Sequence, residues 1–226
     1  MNQQLIITCE HAGNEVPEEY QLLFLGHTEI LDSHRGWDPG AWSLASCLAK
    51  RLNAPLFGCL TTRLLIEANR SPDHEQLFSE FTLPLAASEK EKLIQRFYKP
   101  YRERVQATIE KSNKPLIHLS IHSFTPIWNN LERKTDIGIL FDPDRNSELI
   151  FSQKFQALLF IHLPDLQIHF NEPYKGTDDG FTTWLRKKYK SADYTGIEIE
   201  VNQKFVSNPL RIEEAFVKSI NTIISH

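Results

Sequence analysis

Two histidines and three glutamates stand at or inside apolar runs: Glu10 and His11 close Leu5 to Cys9, His122 follows Leu116 to Ile121, and Glu198 and Glu200 lie within Gly196 to Val201. Neutral imidazole and carboxylate are the usual ligands of zinc, and a catalytic zinc keeps three protein ligands and an open position for water. Residues this far apart in sequence reach one centre only if the segments carrying them lie side by side. Taken singly, each has a plainer reading: a lone histidine at a strand end is commonly a satisfied polar group, and a lone glutamate in a strand usually faces solvent. Glu198 and Glu200 are two apart, so both project from one face of a strand. On a covered sheet they must meet cations, a metal or hydrogen-bond donors, because an isolated buried charge is too costly. Arg63 and Arg70 flank the apolar run Leu64-Leu65-Ile66. A guanidinium binds carboxylates through a planar fork, whereas the alternative makes Asn69 a turn residue and Arg70 a solvated charge; spacing leaves both open.

The elements that would position these groups follow from periodicity. Strands are expected at Leu5 to Cys9, Pro55 to Leu60, Arg63 to Ala68, Leu116 to Ile121, Ile137 to Phe141, Leu166 to Phe170 and Gly196 to Val201. Helices are expected from Pro39 to Leu52 with Asp38 as N-cap, and from Ser88 to about Lys111 with Ser88 and Glu91 as a capping box. Further helices are expected at Ser147 to Phe160, within Thr177 to Tyr189, and from Pro209 to Ile224. Strands alternating with helices of this length indicate an α/β chain with a mixed, mostly parallel sheet covered on both faces. In that class the site lies at the carboxyl ends of the strands, where the ionisable residues fall.

The 226 residues suit a single domain, and 41% hydrophobic with 24% charged residues is ordinary for a globular protein. A net charge of −4, with no basic run longer than Arg186-Lys187-Lys188, argues against nucleic acid as a partner. No apolar stretch approaches the ~20 residues that span a bilayer, and no basic region precedes the first apolar run, so an unprocessed chain with no membrane partner is expected. Cys9, Cys47 and Cys59 form no CxxC pair and read as buried thiols in a reducing compartment, with cytoplasm as the default. Oligomeric state is left open.

Six strings, in order, resemble the N-formylglutamate amidohydrolase family. They are Thr8-Cys9-Glu10-His11-Ala12-Gly13-Asn14, His34-Arg35-Gly36-Trp37-Asp38-Pro39-Gly40-Ala41 and Arg63-Leu64-Leu65-Ile66-Glu67-Ala68-Asn69-Arg70, then Ser120-Ile121-His122-Ser123-Phe124, Asn171-Glu172-Pro173-Tyr174-Lys175-Gly176 and Ile197-Glu198-Ile199-Glu200-Val201-Asn202-Gln203. The order is also similar to zinc carboxypeptidases and aspartoacylase-type deacylases. The resemblance implies a three-layer α/β/α sandwich of phosphorylase/hydrolase-like type. It also implies Zn2+ as cofactor and hydrolysis of a small N-acyl amino acid, such as N-formyl-L-glutamate to formate and glutamate, in histidine catabolism. By the same resemblance His11 and His122 are zinc ligands, Asn69 and Arg70 clamp the substrate carboxylate, and Glu200 is the general base. Arg63 would help stabilise the oxyanion, and Lys175 is a further cation for a side-chain carboxylate. The carboxypeptidases carry an acid three residues after the first histidine, but here that position is Asn14, followed by Glu15. Asp38, inside a family string, is the favoured third ligand; Glu15 and Glu10 are alternatives, Glu10 also as a partner of His11. Rival readings are a peptidase or deacylase on other N-acyl amino acids or peptides, and a catalytically silent carboxylate-binding relative. A serine or cysteine hydrolase is disfavoured because no GxSxG occurs and Cys9 lies inside its strand.

Overall fold

The computed structural model describes residues 3–225; Met1 and Asn2, on which the expectation of an unprocessed start partly rested, lie outside them, as does His226. In chain order the elements are β1 (Gln4–Cys9), α1 (Thr28–Asp32), α2 (Ala41–Leu52), β2 (Leu56–Gly58), α3 (Ala87–Leu93), α4 (Lys99–Glu110), β3 (Leu116–Phe124), β4 (Ile127–Trp128), β5 (Leu131–Glu132), β6 (Ile137–Leu140), α5 (Asn146–His162), β7 (Ile168–Phe170), α6 (Phe181–Lys188), β8 (Tyr194–Asn202) and α7 (Leu210–Ser225). Six strands form one sheet in the order β2-β1-β3-β8-β6-β7, parallel throughout except where β6 meets β8; β4 and β5 make a separate antiparallel pair. This is the α/β/α sandwich with a mixed, mostly parallel sheet that the alternation of elements requires.

The period of two along a strand divides this sheet into unlike faces. Leu5, Ile7 and Cys9 of β1, Ile117, Leu119 and Ile121 of β3, and Ile197, Ile199 and Val201 of β8 all enter one apolar cluster with α2, α5 and α7. The opposite face starts apolar at the amino ends of the strands, where Ile6, Leu116 and Tyr194 pack against Tyr101, Val105 and Ile109 of α4 and Phe181 and Leu185 of α6. Toward the carboxyl ends it turns polar through Thr8 and Glu10, through His118, Ser120 and His122, and through Glu198 and Glu200, all buried. The β3–β8 register sets Ser120 beside Glu198 and His122 beside Glu200.

Four local expectations are corrected. Residues 63–68 form turns instead of a strand: Leu64, Leu65 and Ile66 are consecutively buried in a third cluster with Tyr20, Phe24, Leu77 and Tyr98, and a strand would have sent alternate ones to opposite sides. Asp38 is not the N-cap of α2, which starts two residues after Pro39 behind Gly40. Gly40 has φ +83°, and a Cβ there would come within 2.8 Å of Val206 Cγ2, so only glycine turns the chain at this point. Ser88 and Glu91 make no capping box because α3 begins at Ala87 with Ala86 as cap, placing Ser88 inside the first turn. The long helix is divided by a π-helical stretch, Ile94–Tyr98, next to Pro100, which lacks a backbone N–H. Of the three thiols Cys9 and Cys59 are buried, while Cys47 is half-buried and donates to Glu213.

Candidate active site at the carboxyl ends of the strands

His11 follows β1, Asp38 lies in the turn before α2, and His122 is near the end of β3; one ligand atom from each comes within 4.8 Å of the others. The backbone N–H of Asp38 donates to His11 O at 3.0 Å, tying the two turns together. His11 Nδ1 lies 3.1 Å and His122 Nδ1 3.0 Å from Asp38 Oδ2. The outer ring nitrogens are held elsewhere, His11 Nε2 by Glu67 Oε1 at 2.6 Å and His122 Nε2 by Glu10 Oε2 at 3.2 Å. Glu10 in turn accepts from Tyr101 OH at 2.6 Å and Ser120 Oγ at 2.5 Å. Of the two alternatives raised for Glu10, ligand or partner of His11, it takes neither: it partners His122, because it lies on the polar side next to β1 and looks toward β3.

Both imidazoles thus present Nδ1 inward with Nε2 fixed by a carboxylate, the outer arrangement typical of metal-bound histidine. Two imidazole nitrogens and one carboxylate oxygen are a donor set suited to zinc. Burial opposes ionisation of Asp38, but His11 and His122 hold its carboxyl well below the usual range. Burial also opposes ionisation of Glu67 and Glu10; Arg63 and His11 keep the first low, and His122 keeps the second low. Glu200 behaves in the opposite way. Burial pushes it up to about 7, against the pull of His122 and with the Asp38 and Glu198 charges adding to the effect. Among the described residues its Oε2 is buried with no hydrogen-bond partner.

These groups border a cavity of about 190 Å³ whose walls include His11, Asp38, His122, Arg63, Arg70 and Glu200. Asn69, Lys175 and Glu198 also line it, so every residue singled out for a role above reaches the cavity except Glu15 and Glu10. Glu15 is exposed and contributes only a backbone bridge to Thr61. Glu198 accepts from Thr182 of α6. Arg63 places Nε at 2.6 Å from Glu67 Oε2 and Nη1 at 3.5 Å from Asp38 Oδ1. Asn69 Oδ1 accepts from Phe181 N at 2.7 Å, and Arg70 Nη1 donates to Asp179 O at 2.7 Å. Arg102 of α4 holds this turn from below: its Nη1 donates to Ala68 O at 3.1 Å and Arg70 O at 3.0 Å, while its guanidinium lies 4.2 to 4.8 Å from the ring centres of Phe181, Trp184 and Tyr98. Tyr98 OH also donates to Arg70 O.

Glu67, Ser120 and Tyr101 are site residues to which the sequence reading gave no role. Glu67 carried a usable signal, an acid within an otherwise apolar run, which is the same argument that singled out Glu198 and Glu200. Tyr101 carried none, because its partner Glu10 is 91 residues away.

Two solved structures share the fold. A gene product from Agrobacterium tumefaciens is 24% identical, with 97% of this chain and 91% of that one covered and a TM-score of 0.79. An N-formylglutamate amidohydrolase from Ralstonia eutropha is 15% identical over 95% of this chain and 91% of that one, with a TM-score of 0.69. No curated protein matches the sequence. Among the described residues no helix is long and apolar enough to cross a membrane. The model of the N-formylglutamate amidohydrolase family matches residues 3–207, nearly the whole chain, and the chain belongs to that family.

Proposed function

We propose that this chain is a zinc-dependent amidohydrolase that removes the acyl group from an N-acylated acidic amino acid, N-formyl-L-glutamate being the simplest case, to give formate and glutamate. The observation that carries the reading is one small cavity bordered by the His11, Asp38 and His122 donors and by a buried carboxyl, Glu200, pushed up to about 7. A general base works best with a pKa near the operating pH.

His11 Nδ1, Asp38 and His122 Nδ1 would hold the ion. Zinc, when bound, supplies Lewis-acid polarisation of the acyl carbonyl and eases deprotonation of the attacking water. Glu200 takes that proton on its unpartnered Oε2 and returns it to the amide nitrogen as the C–N bond breaks. Arg63, pinned between Glu67 and Asp38, keeps a fixed positive charge at the cavity wall for the oxyanion. Arg70 uses the part of its fork not engaged by Asp179 O to hold the α-carboxylate, with Asn69 beside it. Lys175, on the same wall, meets the side-chain carboxylate.

Release of formate from N-formyl-L-glutamate tests the reading, with N-acetyl-glutamate, N-formyl-aspartate and N-formyl-methionine as comparators. Turnover by zinc-loaded protein, with N-formyl-methionine slower than the acidic substrates, is the expected result. Absence of turnover on all four by protein carrying about one zinc per chain would reject it.

A further inference from the structure

The 190 Å³ cavity is not closed on the side of Asp38. Asp38, Arg63, Arg70, Ser123 and Tyr174 also line a groove of about 630 Å³ that runs outward from it. The remaining walls of the groove carry the rings of His34, Phe78, Phe124 and Trp128 beside polar side chains that include Arg35, Glu75, Gln76 and Glu80. Trp128 belongs to the β4–β5 pair, is 49% exposed, and sits edge-to-face with His34 at 5.8 Å. Arg133 lies between 5.2 and 5.4 Å from the ring centres of Phe124, Trp128 and Tyr174 and donates to Tyr174 OH, so three rings from three segments are held around one cation. The charges at the groove are largely paired, Arg35 with Glu80 and Arg63 with Glu67.

Volume and chemistry together assign the two compartments. Pockets for drug-sized ligands run roughly 300–1,000 Å³, so the inner cavity alone is smaller than such a pocket and the groove lies within that range. Asn69 and Lys175, which suit carboxylates, line only the inner cavity, and His34, Phe78, Phe124 and Trp128 line only the groove. A formyl group would leave the groove unused.

We infer that the groove is an acyl subsite and that the enzyme accepts N-acyl acidic amino acids whose acyl group is aromatic. This rests on the amidohydrolase reading and specifies its substrate class. With N-benzoyl-L-glutamate the amide C–N bond breaks, the oxygen of water ends on benzoate, and the nitrogen takes a proton to leave as glutamate. No other reactant is needed. The benzoyl ring lies against the exposed Trp128 while the two carboxylates occupy the inner cavity.

The test compares kcat/KM for N-benzoyl-L-glutamate and N-formyl-L-glutamate in zinc-loaded wild type and Trp128→Ala. In parallel, calorimetric titration of N-benzoyl-L-glutamate is run into Glu200→Gln with and without Trp128→Ala. The wild type is expected to cleave the benzoyl substrate at least as efficiently as the formyl one. Trp128→Ala should lower the benzoyl-to-formyl ratio about tenfold, the upper end of what one aromatic contact contributes, and weaken benzoyl binding by a similar factor. Turnover of the formyl substrate with no cleavage of the benzoyl one overturns the acyl subsite and leaves the proposed function standing. If neither is cleaved, and N-acetyl-glutamate, N-formyl-aspartate and N-formyl-methionine are not cleaved either, the function fails, and the titration still decides the groove: benzoyl binding indifferent to Trp128→Ala overturns it.

Discussion

The two faces of the central sheet are built from the same strands and do opposite work. Ile197, Ile199 and Val201 look into a core made by three helices, and Glu198 and Glu200, interleaved with them, look into the active-site cavity. On the apolar side neighbours are interchangeable in kind, since burial is non-directional. On the polar side each group has a named partner: Glu10 has Tyr101 and Ser120, Glu198 has Thr182, and His118 spans Thr8 and Tyr194 at 2.7 Å each. Glu200 Oε2 is the exception, and the exception is where proton transfer is proposed. A buried face can stay reactive when one of its carboxyl oxygens is left without a hydrogen-bond partner.

The contrast is broken most severely at the proposed metal donors. Asp38→Ala should abolish stoichiometric zinc binding, while Glu15→Ala should leave about one zinc per chain, as read by metal analysis; the reverse result would remove Asp38 from the ligand set. Next comes Glu200→Gln, which should lower kcat by roughly 10²–10⁴ with KM little changed and remove the acid limb of the pH–rate profile. A bound dication favours the carboxylate, so that limb should lie between the ordinary glutamate value and about 7. In metal-free protein the same variant should be more stable. The native state holds the Glu200 proton more tightly than the unfolded chain does. Stability is therefore lost as pH rises from the unfolded value through about 7, and above that glutamine removes the penalty. If neither Glu200→Gln nor Glu198→Gln changes kcat more than about threefold, far below that general-base range, β8 does not supply the base.

One residue away, on the other face, Ile199→Ala should cost about 2–5 kcal/mol of stability yet leave kcat per folded molecule nearly unchanged. A large kcat loss in protein shown to be fully folded would mean that the faces are not independent. The smallest effect is expected at Glu67→Gln, where zinc affinity measured by chelator competition should fall about 10–100-fold. An unaltered affinity would make the Glu67–His11 contact incidental to holding the ion.

What the sequence disclosed follows the same division. Glu198 and Glu200 were legible because a spacing of two on a covered strand forces both to the same side, and the strands themselves were legible as apolar runs. Asp38 next to Pro39 looked like a helix cap, and only the left-handed turn at Gly40 frees its carboxylate to face the histidines. Leu64 to Ile66 looked like a strand because a short apolar run has the same composition whether it pairs or merely packs. One possibility for Glu10 was its chain neighbour His11, but Glu10 faces β3 and reaches His122 through space. Local pattern fixes which way a side chain points, and partner identity depends on what the tertiary fold brings opposite.

Arg102 has a kinetic consequence. The Asn69–Arg70 turn has no strand ladder to hold it, yet its carbonyls are fastened to α4 by a cation wedged among three rings. Releasing it means breaking both Arg102 hydrogen bonds while its guanidinium stays packed on the Phe181 and Trp184 rings of α6, so slow amide exchange is expected at this turn. The proposed carboxylate clamp is therefore set before substrate arrives, and capture would carry little ordering entropy on that wall.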